Sequence, residues 1–382
     1  NIYYAERNGI TIIEYTDEEK MVGSVSGETA ALRYEASIKS VIAEKLQAED
    51  EVVIFEEIAT EKGDFTKVRS RNGVIGYVAA KDLKDKRVIP AVTKEDTTPE
   101  NTLPPLQGKV NLVWDMIISP NQNTADSRRQ THEGVNVLSP TWFSFDTEAA
   151  NGDIINLADK SYVDWAHQNG YQVWGLIADD SSVNTEILTN TENRENAIKQ
   201  LLALASLYNL DGINIDFERI TESLAEYYIQ FLRELKPLMS EQGLILSVDL
   251  YVPLYTKHYN RTEIAKVVDY ACVMTYDEYT NVDKVAGPNA SYGFVEEGIL
   301  ATLEEMPKEK VIMGIPVYSK IWRNEKIHKQ TGRNETYKFF TDQGAEFVWQ
   351  EEYKLYYAEF TTVEEGEQVK YCTWVEDERA LE

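Results

Sequence analysis

Asp211-Gly212-Ile213-Asn214-Ile215-Asp216-Phe217-Glu218 places three polar side chains at alternating positions of an apolar run. Successive side chains of a strand point to opposite faces. Asn214, Asp216 and Glu218 therefore share one face, and Ile213, Ile215 and Phe217 share the other. Leu210 and Ile220 flank the run, as expected for a strand covered on both sides. Carboxylates in such a place are costly unless they have partners or work. Two carboxyls one strand repeat apart, ~6.6 Å between α-carbons, do not both ionise easily in a dry site. One of them tends to keep a proton at neutral pH, the state a general acid needs. A polar plug in a barrel core would require less than two acids and an amide in one row.

The surroundings of this strand predict an α/β fold. From Lys109 onward apolar strands alternate with helical patterns, the mark of parallel βαβ units. Strands are expected at Val110–Asp115, Val135–Phe145, Gln172–Ala178, Gly212–Glu218, Ile245–Val252, Ala271–Tyr276 and Val311–Val317. Helical stretches lie between them at Leu157–Gln168, Glu192–Tyr208, Glu222–Ser240 and Thr262–Val268. A closed (β/α)8 barrel needs eight strands; seven are counted, and the eighth is not visible in this chain. Residues 323–376 are less regular and rich in aromatics and acids.

Residues 1–88 read differently, as short strands at Ile10–Tyr15, Ala31–Tyr34, Glu51–Glu57, Phe65–Arg69 and Val74–Val78. Asn72-Gly73 is a hairpin signal, since both turn positions need positive φ. Such strands suggest a small all-β barrel. Residues 89–108, with Pro90, Pro99, Pro104 and Pro105, read as a semi-rigid linker. The expected domains are thus 1–88, the linker 89–108, and a barrel over 109–382.

The strand-four run resembles the DGxxDxDxE signature of glycoside hydrolase family 18, the chitinase-like barrels. Asp211, Asp216 and Glu218 match three of its four acidic positions; the remaining one is Asn214. An Asn there resembles the branch of bacterial spore-cortex and cell-wall glucosaminidases. Met274-Thr275-Tyr276-Asp277, ending the sixth strand, resembles the family's M-x-Y-D element. Residues 323–376 resemble the family's small α+β insertion, which walls one side of the cleft. In the N-terminal part, Ala31-Leu32-Arg33, Phe65-Thr66-Lys67-Val68 and Gly73-Val74-Ile75-Gly76-Tyr77-Val78 resemble bacterial SH3 domains, which often tether wall hydrolases to peptidoglycan.

The resemblance implies a TIM-type barrel with retaining, substrate-assisted hydrolysis. Glu218 is the implied proton donor. Asp216 is implied to orient the acetamido group of the sugar, and Tyr276 to bind its carbonyl. Asp277 would hold a substrate hydroxyl or the phenol, with Asn214 and Asp211 completing the motif and Met274 the M-x-Y-D element. Sugar rings stack on aromatic faces, so strand-end aromatics are candidates for the cleft. Trp114, Trp142, Tyr251, Tyr318 and Trp322 meet that condition, Trp142 and Trp322 foremost. The implied substrate is an aminosugar polymer, peptidoglycan of cell wall or spore cortex. The alternatives are a chitinase or endo-β-N-acetylglucosaminidase, and a lectin-like barrel that binds without cleaving. Lectin-like relatives usually lose the terminal Glu, which is present here.

Composition narrows the partners. The formal charge of −27 argues against binding a phosphate backbone, so no nucleic acid is expected. Residues 1–90 carry 13 basic and 17 acidic side chains, net −4, leaving −23 for the rest. A neutral glycan is not repelled by such a surface, whereas an anionic polymer is. No 18-residue apolar run suggests a membrane span. Cys272 and Cys372 read as lone buried thiols, and His132, His167, His258 and His328 have no metal-ligand spacing. No metal or cofactor is expected, and a monomer is. Residue 1 is Asn rather than Met, so a processed or trimmed start is expected. An extracellular, wall- or spore-associated location follows from the resemblance, since no signal peptide is visible.

Overall fold

A computed structural model describes residues 19–71, 74–90, 106, 108–124 and 129–381. The chain divides into two compact units, residues 1–100 and 101–382. The expected strand Ile10–Tyr15, the Asn72-Gly73 turn and most of the linker lie outside the described residues.

The first unit is one antiparallel sheet of seven strands: β1 Lys20–Val25, β2 Thr29–Arg33, β3 Ile42–Gln47, β4 Glu51–Ile58, β5 Phe65–Arg69, β6 Ile75–Ala79 and β7 Leu83–Ile89. Their order is β3-β2-β6-β5-β4-β1-β7. Alternation puts Val25, Leu32, Leu46, Val52, Ile54, Val68, Val78 and Leu83 into a single core. Gly76 is required where β6 passes β2, because a Cβ there would lie 2.5 Å from Arg33 O. β1, β3 and β7 were not anticipated from the sequence. β7 is largely charged, with Lys84, Lys86 and Arg87 paired to Glu49, Glu57 and Glu51, which hides its period-2 signal, while β1 and β3 mix polar and apolar residues over only six positions each.

The second unit begins with β8 Leu112–Asp115, β9 Val137–Pro140, β10 Phe143–Phe145, β11 Ile154–Asn156, α1 Lys160–Gln168 and β12 Gln172–Ala178. Next come α2 Asn184–Thr189, α3 Thr191–Tyr208, β13 Gly212–Asp216, α4 Ala225–Glu241, β14 Ile245–Tyr251, α5 Arg261–Val267, β15 Tyr270–Met274, α6 Tyr292–Glu305 and β16 Val311–Gly314. β8 pairs parallel with β9, and β9 and β10 each pair parallel with β12. From β12 the parallel ladder runs through β13, β14 and β15 to β16. β9 and β10 are one predicted strand broken at Thr141-Trp142. Seven parallel positions are thus described, consistent with a TIM-type barrel. An eighth strand is not among the described residues. Trp114 at the end of β8 reaches Gly314 at the end of β16, where a Cβ would lie 2.9 Å from the indole. The first and last of these strands therefore approach each other across the interior.

Beyond β16 the chain forms β17 Tyr318–Arg323, β18 Lys326–Gly332, α7 Arg333–Thr341, β19 Val348–Gln350, β20 Leu355–Glu364, β21 Glu367–Val375 and α8 Glu378–Leu381. The five strands make a separate antiparallel sheet, ordered β18-β17-β21-β20-β19. Its two clusters are built on Phe340 with Tyr371 and on Trp322 with Trp374. Cys272 and Cys372 are both free and buried.

Candidate active site

Catalytic groups of a βα barrel gather at the carboxyl ends of its strands. In this chain the polar row of β13 enters the barrel interior at that end. Asn214 is fully buried and connects four strands. Its Oδ1 accepts from Trp114 Nε1 on β8 at 3.0 Å and from Ser139 Oγ on β9 at 3.1 Å. Its Nδ2 donates to Asp249 Oδ1 on β14 at 2.8 Å. An amide fits there because one group must both accept and donate; a carboxylate only accepts.

Asp216 and Glu218 follow at the rim. Tyr251, the last residue of β14, donates its phenolic hydrogen to Glu218 Oε2. Asp179, just past β12 and 5 % exposed, accepts the backbone N–H groups of Glu218 at 3.2 Å and Arg219 at 3.0 Å. Asn184 Nδ2 at 2.6 Å and the Arg219 guanidinium at 3.5 Å complete its shell. Tyr259 OH donates to Phe217 O at 2.6 Å. The turn carrying Glu218 is thus fixed from two sides.

The electrostatics follow from burial. Desolvation pushes the Asp216 carboxyl up to about 9, with the charges of Asp249, Glu218 and Asp179 and a hydrogen bond to Glu218 adding to the effect. Asp216 Oδ1 has no hydrogen-bond partner among the described residues. Desolvation also raises Asp249, to about 7, against the lowering hydrogen bonds from Asn214, Trp114 and Cys272. Burial likewise raises the Tyr251 and Tyr276 phenols well above their ordinary range, so both are neutral donors at physiological pH.

Tyr276 is half-buried, with its ring edge-on to Trp114 and to Tyr318 at 6.3 Å in both cases. Asp277 adopts a left-handed φ of 60°, and its carboxylate pairs with the buried Lys320 at 2.5 Å. Tyr318 OH donates to the same carboxylate at 3.3 Å. Met274 is buried at the end of β15, in register with Tyr251.

Three sequence candidates are elsewhere, and these expectations are corrected. Asp211 lies at the opposite end of β13, five residues and about 16 Å before Asp216. It accepts from Val173 N at 2.7 Å and pairs with His167 at 2.8 Å, tying α1 to the foot of the barrel. Trp142 is 1 % exposed, donates Nε1 to Asn123 Oδ1 at 2.7 Å and packs edge-on to Tyr162. Trp322 is 0 % exposed within the core of the second sheet. Neither indole offers an open face to a sugar. Conversely, Asp249, Asp179, Ser139 and Lys320 were missed. Ser247-Val248-Asp249-Leu250-Tyr251 repeats the alternation of Asn214-Ile215-Asp216-Phe217-Glu218 one strand later, and that was the signal available for Asp249.

With this geometry in hand, comparisons place the chain among known proteins. It is 24 % identical over 212 residues to the uncharacterized glycosylase YvbX of Bacillus subtilis (strain 168), covering 52 % of this chain and 60 % of that protein. It is 29 % identical over 196 residues to di-N-acetylchitobiase of Rattus norvegicus, covering 47 % and 51 %. The chain thus spans little more than half the length of these relatives. Its fold is similar to the crystal structure of the Bacillus cereus spore cortex-lytic enzyme SleL, with a TM-score of 0.61 at 18 % identity over 71 % of this chain and 65 % of that one. The sequence profile of Glycosyl hydrolases family 18 matches residues 178–380, which include Asp216, Glu218, Tyr276 and Asp277. That stretch is more than half of the chain, and the protein belongs to glycosyl hydrolase family 18.

Proposed function

We propose that this protein cleaves β-1,4 glycosidic bonds next to N-acetylated aminosugars, with retention and by substrate assistance, in the peptidoglycan of cell wall or spore cortex. The observation that carries the reading is the arrangement of Asp216, Glu218 and the neutral phenols Tyr251 and Tyr276 at one end of the parallel strands. Glu218 protonates the glycosidic oxygen as the C–O bond breaks. The acetamido carbonyl oxygen of the same sugar attacks C1 and closes an oxazolinium ion. Asp216 accepts the amide N–H and stabilises its developing positive charge, while Tyr276 donates to the carbonyl oxygen. Water then opens the ring, giving its proton to Glu218 and its hydroxyl to C1. Trp114, Tyr318 and Asp277 line the sugar site in this reading.

The first unit, with its own core, is read as a wall-binding module. The spore-cortex substrate is supported by Asn214. The alternative is a chitin-type substrate, favoured by the likeness to di-N-acetylchitobiase. Mass spectrometry of products from purified peptidoglycan and from chitin oligomers separates the two. The expected product from peptidoglycan is a reducing-end N-acetylglucosamine, absent when Glu218→Gln replaces the wild type. Chitin oligomer products alone would shift the substrate to chitin. No product from either polymer, with binding retained, would make the barrel a lectin.

A further inference from the structure

The polar row of β13 has a second row beside it. Ser247, Asp249 and Tyr251 alternate along β14, and the parallel register pairs Asn214 with Ser247 and Ile215 with Val248. The next pair along is Asp216 and Asp249, on strands about 4.8 Å apart. Asp249 is 2 % exposed. Its hydrogen-bond donors are Asn214 Nδ2 at 2.8 Å, Trp114 Nε1 at 3.1 Å and the Cys272 thiol, all neutral. Among the described residues Asp249 forms no ion pair. The nearby cations are engaged elsewhere, Arg219 with Asp179 and Lys320 with Asp277. A buried carboxyl with neutral donors and a second carboxyl on the next strand is expensive to keep, and packing alone gives no reason for it.

We propose that Asp249 is a positioning residue for the acid machinery, its carboxylate lying one strand behind Asp216 and holding the last proton of the Asp216–Glu218 row in the site at neutral pH. This rests on the reading of Glu218 as proton donor. The signature that this strand resembles has an acid at the position of Asn214. Here the acid stands on the neighbouring strand, and the amide of Asn214 donates to it. After burial, the charge of Asp249 is the largest influence raising Asp216. Glu218 and Asp179 act in the same direction, and the remaining titratable groups around the pair, Tyr251, Cys272, Tyr276, Tyr228 and Tyr259, stay neutral.

The proton has a defined course. Asp216 carries it in the substrate-free protein, two residues before Glu218 on the same strand face. It passes to Glu218 and then to the glycosidic oxygen, leaving Asp216 as the carboxylate that accepts the acetamido N–H. The proton released by water in the second step restores it. Asp249, held by Asn214 and Trp114, never touches the sugar.

The test is the isosteric Asp249→Asn variant, read two ways. Carboxyl ¹³C NMR of the substrate-free protein should show the Asp216 midpoint falling by at least about one unit, because a like charge beside it is gone. The alkaline limb of the kcat/KM–pH profile should fall by the same amount. Moving the acid back, in Asn214→Asp/Asp249→Asn, should raise both again. An Asp216 titration unmoved in a folded Asp249→Asn protein overturns the proposal. Where that variant does not fold, the wild type decides: coupled carboxyls titrate in two separated steps, and an Asp216 with one step in the ordinary carboxylate range overturns it equally. The NMR result stands without turnover, so an inactive wild type would count against the proposed activity and not against this assignment.

Discussion

Tyr251 donates to Glu218 from the end of the strand next to the one that carries the acid. The tyrosine is the third member of the β14 polar row, and burial keeps its phenol neutral. It therefore holds Glu218 Oε2 in place. The sequence placed Tyr251 among sugar-stacking aromatics; its hydroxyl, rather than its ring face, makes the contact seen here.

Tyr251→Phe removes that hydrogen bond and keeps the ring. A hydrogen bond to a charged group contributes about 1.5–3 kcal/mol, so kcat should fall roughly 10- to 100-fold. KM for an aminosugar oligomer should change little, because Glu218 acts on the bond and not on binding. Steady-state kinetics check this. A large KM rise with unchanged kcat would return Tyr251 to the sugar-binding role.

Asp216→Asn tests substrate assistance. The variant keeps the shape but cannot carry the negative charge that stabilises the oxazolinium ion. Turnover should drop by about 10² or more, the scale of positioned acid–base and charge effects. A thiazoline analogue of N-acetylglucosamine should inhibit the wild type competitively and the variant more weakly. Equal cleavage of de-N-acetylated and acetylated substrate would contradict the mechanism.

The sequence made the chemistry of one strand legible because alternation along a strand is a local property. Asn214, Asp216 and Glu218 could be assigned to one face without knowing any neighbour. Asp249 carries the same alternation, but its meaning depends on β14 lying beside β13 in a set register, which is a long-range fact. Trp142 and Trp322 failed for a related reason. A Trp near a strand end can point inward to the cleft or outward to a helix, and only the break at Thr141-Trp142 and the packing of Tyr162 turn Trp142 outward. Asp211 belonged to the motif by spacing, yet spacing along a strand also sets its distance from the chemistry. In the first unit β7 was masked by charges whose partners, Glu49, Glu51 and Glu57, are remote in sequence.

Stability should depend on pH in a direction opposite to that of an ion-paired carboxylate. Asp216 and Asp249 are both raised by burial, whereas an unfolded Asp ionises near about 3.9. Between about pH 4 and pH 9 the folded protein binds protons that the unfolded chain has released. The slope of unfolding free energy with pH is then negative, up to about 1.4 kcal/mol per pH unit for each group fully within its window. Thermal denaturation from pH 5 to pH 9 at constant ionic strength should show the melting temperature falling as pH rises. Asp249→Asn should flatten that fall and be the more stable protein at pH 9. A melting temperature that rises across this range would mean that burial does not raise the two carboxyls.

Deleting residues 1–100 should separate binding from chemistry. The proposed catalytic groups all lie in the second unit, between Trp114 and Tyr318, and the first unit has a core of its own. Activity on small soluble aminosugar oligomers should therefore stay within about twofold of the full chain. Activity on insoluble wall should fall by about 10-fold or more, because a tethered barrel meets its substrate at a raised effective concentration. Sedimentation of the isolated 1–100 fragment with purified sacculi, against a small all-β control of similar charge, reads the same interaction without turnover. The fragment should pellet with sacculi and stay in solution with chitin. If it stays in solution with both, and the truncated enzyme digests sacculi at the full-length rate, the first unit is a spacer. The case for peptidoglycan would then rest on Asn214 alone.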